Sequence, residues 1–85
     1  MNAIFWRPRA LRQLRKIDPR AGRKIRDAVT TELADLSKAR NVKALSDHEY
    51  SYRLRVGSYR VFFDFDGQVH VVSIEEVRKR DERTY

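Results

Sequence analysis

A chain of 85 residues without cysteine must fold on aliphatic and aromatic burial alone, because neither disulfides nor thiolate metal sites can help it. Its 19 Lys and Arg against 12 Asp and Glu leave a net charge of +7, which makes an acidic ligand more natural than a basic one. No stretch approaches the roughly 20 apolar residues of a membrane span, and MNAIFWRPRA holds no apolar run long enough for a signal peptide; the expectation is a soluble cytoplasmic protein with one domain over residues 1–85.

Ala3-Ile4-Phe5-Trp6 is short and apolar, and Pro8 follows, so a first strand is expected to end at Arg7. Over residues 9–17, Leu11, Leu14 and Ile17, with Ala10, mark one helical face. Asp18-Pro19 then stops that helix and opens the next, with Asp18 as N-cap and Pro19 in the first turn. The second helix is expected to run to about Leu36. Its apolar side is Ala21, Ile25, Ala28, Val29, Leu33 and Leu36, at three- and four-residue spacing. Two short amphipathic helices joined by a tight turn need a sheet to cover their stripes.

Residues 37–51 read as polar and irregular, anchored by Val42 and Leu45. The period then changes to two. Tyr52 to Val56 alternates, Gly57-Ser58 fits a type II′ turn, and Tyr59 to Phe65 alternates again. Asp66-Gly67 is a second hairpin signal, and residues 69–77 supply a further strand. The fold class is α+β, with order β-α-α-β-β-β and the helical hairpin on one face of a small, mainly antiparallel sheet.

If Gly57-Ser58 is the loop, Tyr52, Leu54, Val56, Tyr59, Val61 and Phe63 share the helix-facing side. Arg55 then lies directly across from Arg60 on the other side, with Arg53 opposite Phe62. Opposed like charges cost a sheet about 0.2–1 kcal/mol. The repulsion is either solvated, or relieved by Asp64, Glu75 or Glu76, or kept for an anion. Arginine outnumbers lysine 14 to 5, and its planar fork suits bidentate phosphate contacts. Three converging guanidinium groups on a rigid sheet favour a preformed phosphate clamp. With Asp66-Gly67 as the loop, His70 joins Val72 and Ile74 on the helix side as a half-buried structural histidine; a longer loop turns it over. His48 reads as solvated.

The tail VRKRDERTY adds Arg78, Lys79, Arg80, Arg83 and Tyr85. YRLRVGSYRVFF, together with a basic C-terminal cluster ending in tyrosine, resembles the RelE branch of the RelE/ParE toxin superfamily. The first strand, the helical hairpin and the segment NVKAL fit the same pattern over nearly the whole chain. The resemblance implies a toxin of a type II toxin–antitoxin system. It would be a ribosome-dependent, metal-independent endoribonuclease (an mRNA interferase) that cuts mRNA at the A site of the 70S ribosome and so inhibits translation. It implies a cognate antitoxin as partner, with no cofactor and no membrane. By motif position it makes Arg53, Arg55, Arg60, Arg80 and Tyr85 catalytic, with Lys79 the alternative to Arg80, and it gives Arg78, Lys79 and Arg83 to substrate binding. Tyr85 is either the base that takes the 2′-hydroxyl proton or a stacking platform. The chain departs from the pattern in having arginines where RelE has lysines on the first hairpin strand, and no histidine before the C-terminal arginine. The rivals are a ParE-like inhibitor of DNA gyrase and a non-catalytic RNA- or ribosome-binding module.

Overall fold

In the computed structural model, which describes residues 1–80, the chain runs β1 (Ala3–Trp6), α1 (Pro8–Arg15), α2 (Pro19–Leu33), a 3-10 turn (Leu36–Lys38), β2 (Val42–Ala44), β3 (Tyr52–Val56), β4 (Tyr59–Asp66) and β5 (Val71–Lys79). Proline opens both helices, where its missing N–H is no loss. Asp18 caps α2 by accepting the Ala21 N–H at 3.4 Å. The five strands form one sheet in the order β1-β5-β4-β3-β2, antiparallel except where β1 runs parallel to β5. Among the described residues, no helix is long and apolar enough to cross a membrane.

Both helices lie on one face of the sheet. Ala10 and Leu14 of α1 and Ile25, Val29 and Leu33 of α2 pack on Leu54, Val61, Phe63, Val72, Ile74 and Val77. Tyr52 stacks on Phe63 at the margin of this core, ring centres 5.3 Å apart. The β3–β4 hairpin has the expected register, with Val56 opposite Tyr59 and Arg55 opposite Arg60. Gly57 alone takes positive φ in its turn, which is the pattern of a type II′ hairpin.

Several expectations need correction. The helix α2 ends at Leu33, not near Leu36. Asp35 accepts the Ser37 N–H at 3.0 Å, and this local bond draws the backbone out of the helix into the 3-10 turn. The stretch expected to be irregular contains β2, so the sheet has one more strand than the alternation predicts. The second hairpin loop spans residues 67–70, since Asp66 still pairs with Val71. His70 therefore sits exposed in a turn at φ 55°, not half-buried on a strand. Its carbonyl accepts the Ala3 N–H at 2.8 Å and so starts the β1–β5 ladder.

The strand β5 also runs past Val77 to Lys79, so the first two basic residues assigned to a tail belong to the sheet. A register shift between Phe62 and Phe63 makes this possible. Below the shift Phe63 pairs with Ile74; above it Phe62 pairs with Glu76, so one extra residue lies on β5. The bulge keeps Val77 in the core and turns Glu76 and Arg78 to the opposite face. Because β1 stops opposite Ile74, the edge of β5 is open above it. There α1 closes it, and the Gln13 side-chain carbonyl accepts the Val77 N–H at 2.6 Å.

Candidate functional site

The sheet face away from the core carries two parallel rows of side chains. One row crosses three strands as Arg55, Arg60 and Arg78. The other crosses four as Lys43, Arg53, Phe62 and Glu76. Neighbouring strands are about 4.8 Å apart, so five cations and one carboxylate share an area that a few nucleotides would cover. The three hairpin arginines come together as the register predicts, and Arg78 joins them because of the β5 bulge. The apolar spacing Val72, Ile74, Val77 is the sequence signal for that bulge, because the interval lengthens from two to three.

Glu76 is the buried centre of the β5 side, 7% exposed. Arg78 clasps it with two bonds of 2.8 Å, from Nε to Oε1 and from Nη2 to Oε2. The Tyr50 hydroxyl donates to Oε2 at 2.9 Å and the Gln13 amide to Oε1 at 3.4 Å, while Arg9 stands 3.9 Å away. The Arg78 bonds outweigh burial and hold the Glu76 carboxyl below its usual range; the Tyr50 and Gln13 bonds act the same way. The same pairing raises Arg78, and burial beside Glu76 raises Tyr50.

The hairpin side has no such counter-charge. Of the acids expected to relieve it, Asp64 accepts the Ser51 N–H at 2.9 Å, Glu75 stands 3.7 Å from Arg7, and Glu76 belongs to Arg78. Among the described residues, Arg53, Arg55 and Arg60 make no ion pair. Arg53 Nε and Arg60 Nη1 are buried with no hydrogen-bond partner among the described residues. Burial, with Arg60 and Arg55 adding repulsion, pushes the Arg53 guanidinium below its usual value. A rigid group of unsatisfied guanidinium donors can take a phosphate or a carboxylate.

Arg80 lies one residue beyond β5, its N–H donating to the Ser58 carbonyl at 2.6 Å, two positions on from Arg78. Lys79 pairs with Tyr59, whose ring borders the core, so it faces the helix side and does not join the wall. Arg83 and Tyr85 lie outside the described residues. His48 is exposed, as the sequence reading has it, but that reading did not foresee that His48, Tyr50 and Phe62 cluster on the wall's own face. The His48 and Phe62 rings are 5.1 Å apart and 13° from parallel, and Tyr50 leans against both. The H-E-Y spacing before β3 was the available hint, but one aromatic and one histidine in a polar loop carry little signal. Among the described residues, no three His, Asp or Glu side chains gather as metal ligands.

Comparison with known proteins places this geometry among others. The family described as the ParE toxin of the type II toxin–antitoxin system parDE matches residues 4–84. No curated protein matches the sequence. The fold is similar to that in the RelBE2 toxin–antitoxin complex of Mycobacterium tuberculosis, with TM-score 0.76 at 23% identity over 93% of this chain and 98% of that one. It is also similar to the isolated RelE toxin of E. coli, with TM-score 0.79 at 17% identity over 99% of this chain and 89% of that one. The archaeal RelE–RelB complex of Pyrococcus horikoshii gives TM-score 0.71 at 21% identity, over 95% and 97%.

Proposed function

We propose that this chain, which belongs to the ParE toxin family within the RelE/ParE superfamily of type II toxin–antitoxin systems, is an endoribonuclease that cuts mRNA on the ribosome. One observation carries the reading: two guanidinium nitrogens, on Arg53 and Arg60, are buried with no partner among the described residues. Leaving such a donor unpaired costs about 1–3 kcal/mol or more, so the hairpin holds these guanidinium groups together at a cost that folding alone does not repay, as a phosphate site would.

In the proposed reaction the ribose 2′-oxygen attacks the adjacent phosphorus. The O2′–P bond forms and the P–O5′ bond breaks, leaving a 2′,3′-cyclic phosphate and a 5′-hydroxyl. One proton leaves the 2′-hydroxyl and one reaches the departing 5′-oxygen. Arg60, with Arg80, stabilises the charge that grows on the phosphoryl oxygens. Arg53 and Arg55 orient the backbone. Arg78 binds substrate with the guanidinium edge that Glu76 leaves free, since only Nε and Nη2 are engaged. Tyr85 is the proposed base and Arg83 a further phosphate contact, both on the strength of the family resemblance alone, since they lie outside the described residues. Lys79 takes no part at the wall, because it faces the other way. The cognate antitoxin is proposed as an acidic chain that covers this basic face in the resting complex.

The test is translation in vitro with purified protein, mapping message 5′ ends. Cuts that need both ribosomes and Arg60 support the reading, and intact messages overturn it. The family match itself favours a second reading, a ParE-like inhibitor of DNA gyrase. Trapped gyrase-cleaved DNA with uncut messages would establish that one. Salt-sensitive RNA binding without new ends would instead mark a binding module.

A further inference from the structure

The aromatic cluster beside the arginine row has no part in the reaction above. His48 lies on Phe62, which is itself 7% exposed, while His48 is open to solvent. One imidazole face is therefore covered and the other is free. The Arg78 guanidinium also stands over Phe62, 5.3 Å from the ring centre, so stack and row meet on one side chain.

The hydrogen bond to this imidazole limits what it can do. The Tyr50 backbone N–H donates to His48 Nδ1 at 3.0 Å. A backbone N–H only donates, so Nδ1 holds its lone pair and the neutral ring carries its proton on Nε2. In this arrangement Nε2 has no lone pair with which to take a proton from a ribose. What His48 offers is a flat face and an N–H donor.

We propose that His48 is a nucleobase platform, on which one base of single-stranded RNA stacks while a neighbouring phosphate enters the row Arg55, Arg60 and Arg78. The inference rests on the RNA reading of the wall and names its substrate class more closely. Bases within a duplex are stacked on one another and present no free face, whereas single strands are bound by aromatic rings beside cationic grooves. Phe62, fixed between Arg53 and Glu76 by cross-strand pairing, holds the platform at a set height above the row.

The experiment uses the full chain and a short single-stranded oligonucleotide with 2′-O-methyl riboses, which cannot undergo 2′-hydroxyl attack, carrying 2-aminopurine. Binding to the unaltered protein should quench the 2-aminopurine, and a duplex of the same sequence should give no such response. His48→Ala should weaken binding about tenfold and abolish quenching while leaving the salt dependence unchanged. His48→Phe keeps an aromatic face but loses Nδ1, and should retain both affinity and quenching. Arg60→Ala should instead reduce the slope of log affinity against log salt by about 0.7. Equal binding and quenching in His48→Ala would overturn the platform, as would equal losses in the Ala and Phe variants, which mark a loop-capping role. If those hold but Arg60→Ala keeps the full salt slope, the base stacks on His48 while its neighbouring phosphate lies outside the row, which overturns the wall reading and the placement of that phosphate but not the stacking; an unaltered protein that binds no RNA overturns both.

Discussion

Arg60 and Arg78 are neighbours in one row, yet they live under opposite rules. Arg78 is clasped by a buried carboxylate that also receives Tyr50 and Gln13, and its positive charge is reinforced. Arg60 faces Arg55, and one of its nitrogens is buried with no partner among the described residues. Residue type is the same, so counting cations cannot separate them, although Arg60 is partly buried and Arg78 exposed. What separates them is counter-charge supplied from within. The β5 half of the wall is finished on folding, whereas the hairpin half keeps donors that no described residue satisfies.

Four measurements would break or sharpen that contrast. The largest effect should come from Arg60→Ala, which is expected to slow message cleavage by about 10²–10³-fold, or roughly 3–4 kcal/mol of transition-state stabilisation. Arg78→Ala should cost about tenfold less in the same assay, and equal losses would erase the distinction. Next, Glu76→Ala should lower stability to urea by about 2–3 kcal/mol. It strands the Tyr50 hydroxyl and the Gln13 amide as well as Arg78, though half-exposed Arg78 can recover some water.

The same carboxylate predicts a pH effect. Its folded value is depressed mainly by Arg78, so its contribution is complete above the ordinary glutamate range. It declines as the unfolded chain takes up the proton first, and is gone once folded Glu76 is protonated too. The melting temperature of Glu76→Gln should therefore change less with pH than that of the unaltered protein as the pH falls through and below the ordinary glutamate range. The last effect has the opposite sign. Arg53→Leu or Arg60→Leu should raise stability, by about 0.2–1 kcal/mol through lost cross-strand repulsion and further by removing a buried unpaired donor, and equilibrium unfolding would detect it. A stabilised variant that no longer cleaves would be the clearest sign that the hairpin half is held for substrate.

How far the sequence discloses this depends on the length over which each pattern repeats. The Asp18-Pro19 boundary and the β3–β4 hairpin announce themselves, since a cap with proline and a Gly-Ser turn between alternating strands have local physical causes. The opposition of Arg55 and Arg60 follows from that turn by counting. The strand β2 does not, because three residues are too few to establish a period and its pairing partner is supplied by β3. The loop over residues 67–70 is settled by β1 and β4 together and is a tertiary fact, while the β5 bulge, set by pairing with β4, leaves in the sequence only the lengthened spacing from Ile74 to Val77. Glu76 reads as surface acid in the sequence. Only the bulge beneath it and Gln13 from α1 make it the buried anchor of Arg78. The stacking of His48 is missed for a related reason: its partner lies across the sheet from its own loop.

The place of β5 in the sheet has a bearing on how the protein comes into being. The strand lies between β1 and β4, and it pairs Ala3 with Val71, close to the two extremes of the sequence. Contacts of such separation must bear the loop-closure entropy of most of the chain before they return any stability. A growing polypeptide that has reached only β4 already displays Arg53, Arg55 and Arg60, but β1 has no strand to lie against and α1 has no edge to cover. Glu76 and Arg78 arrive with the strand that closes the sheet, so the row Arg55, Arg60 and Arg78 and the sheet itself are completed by the same few residues, after every other strand has been made.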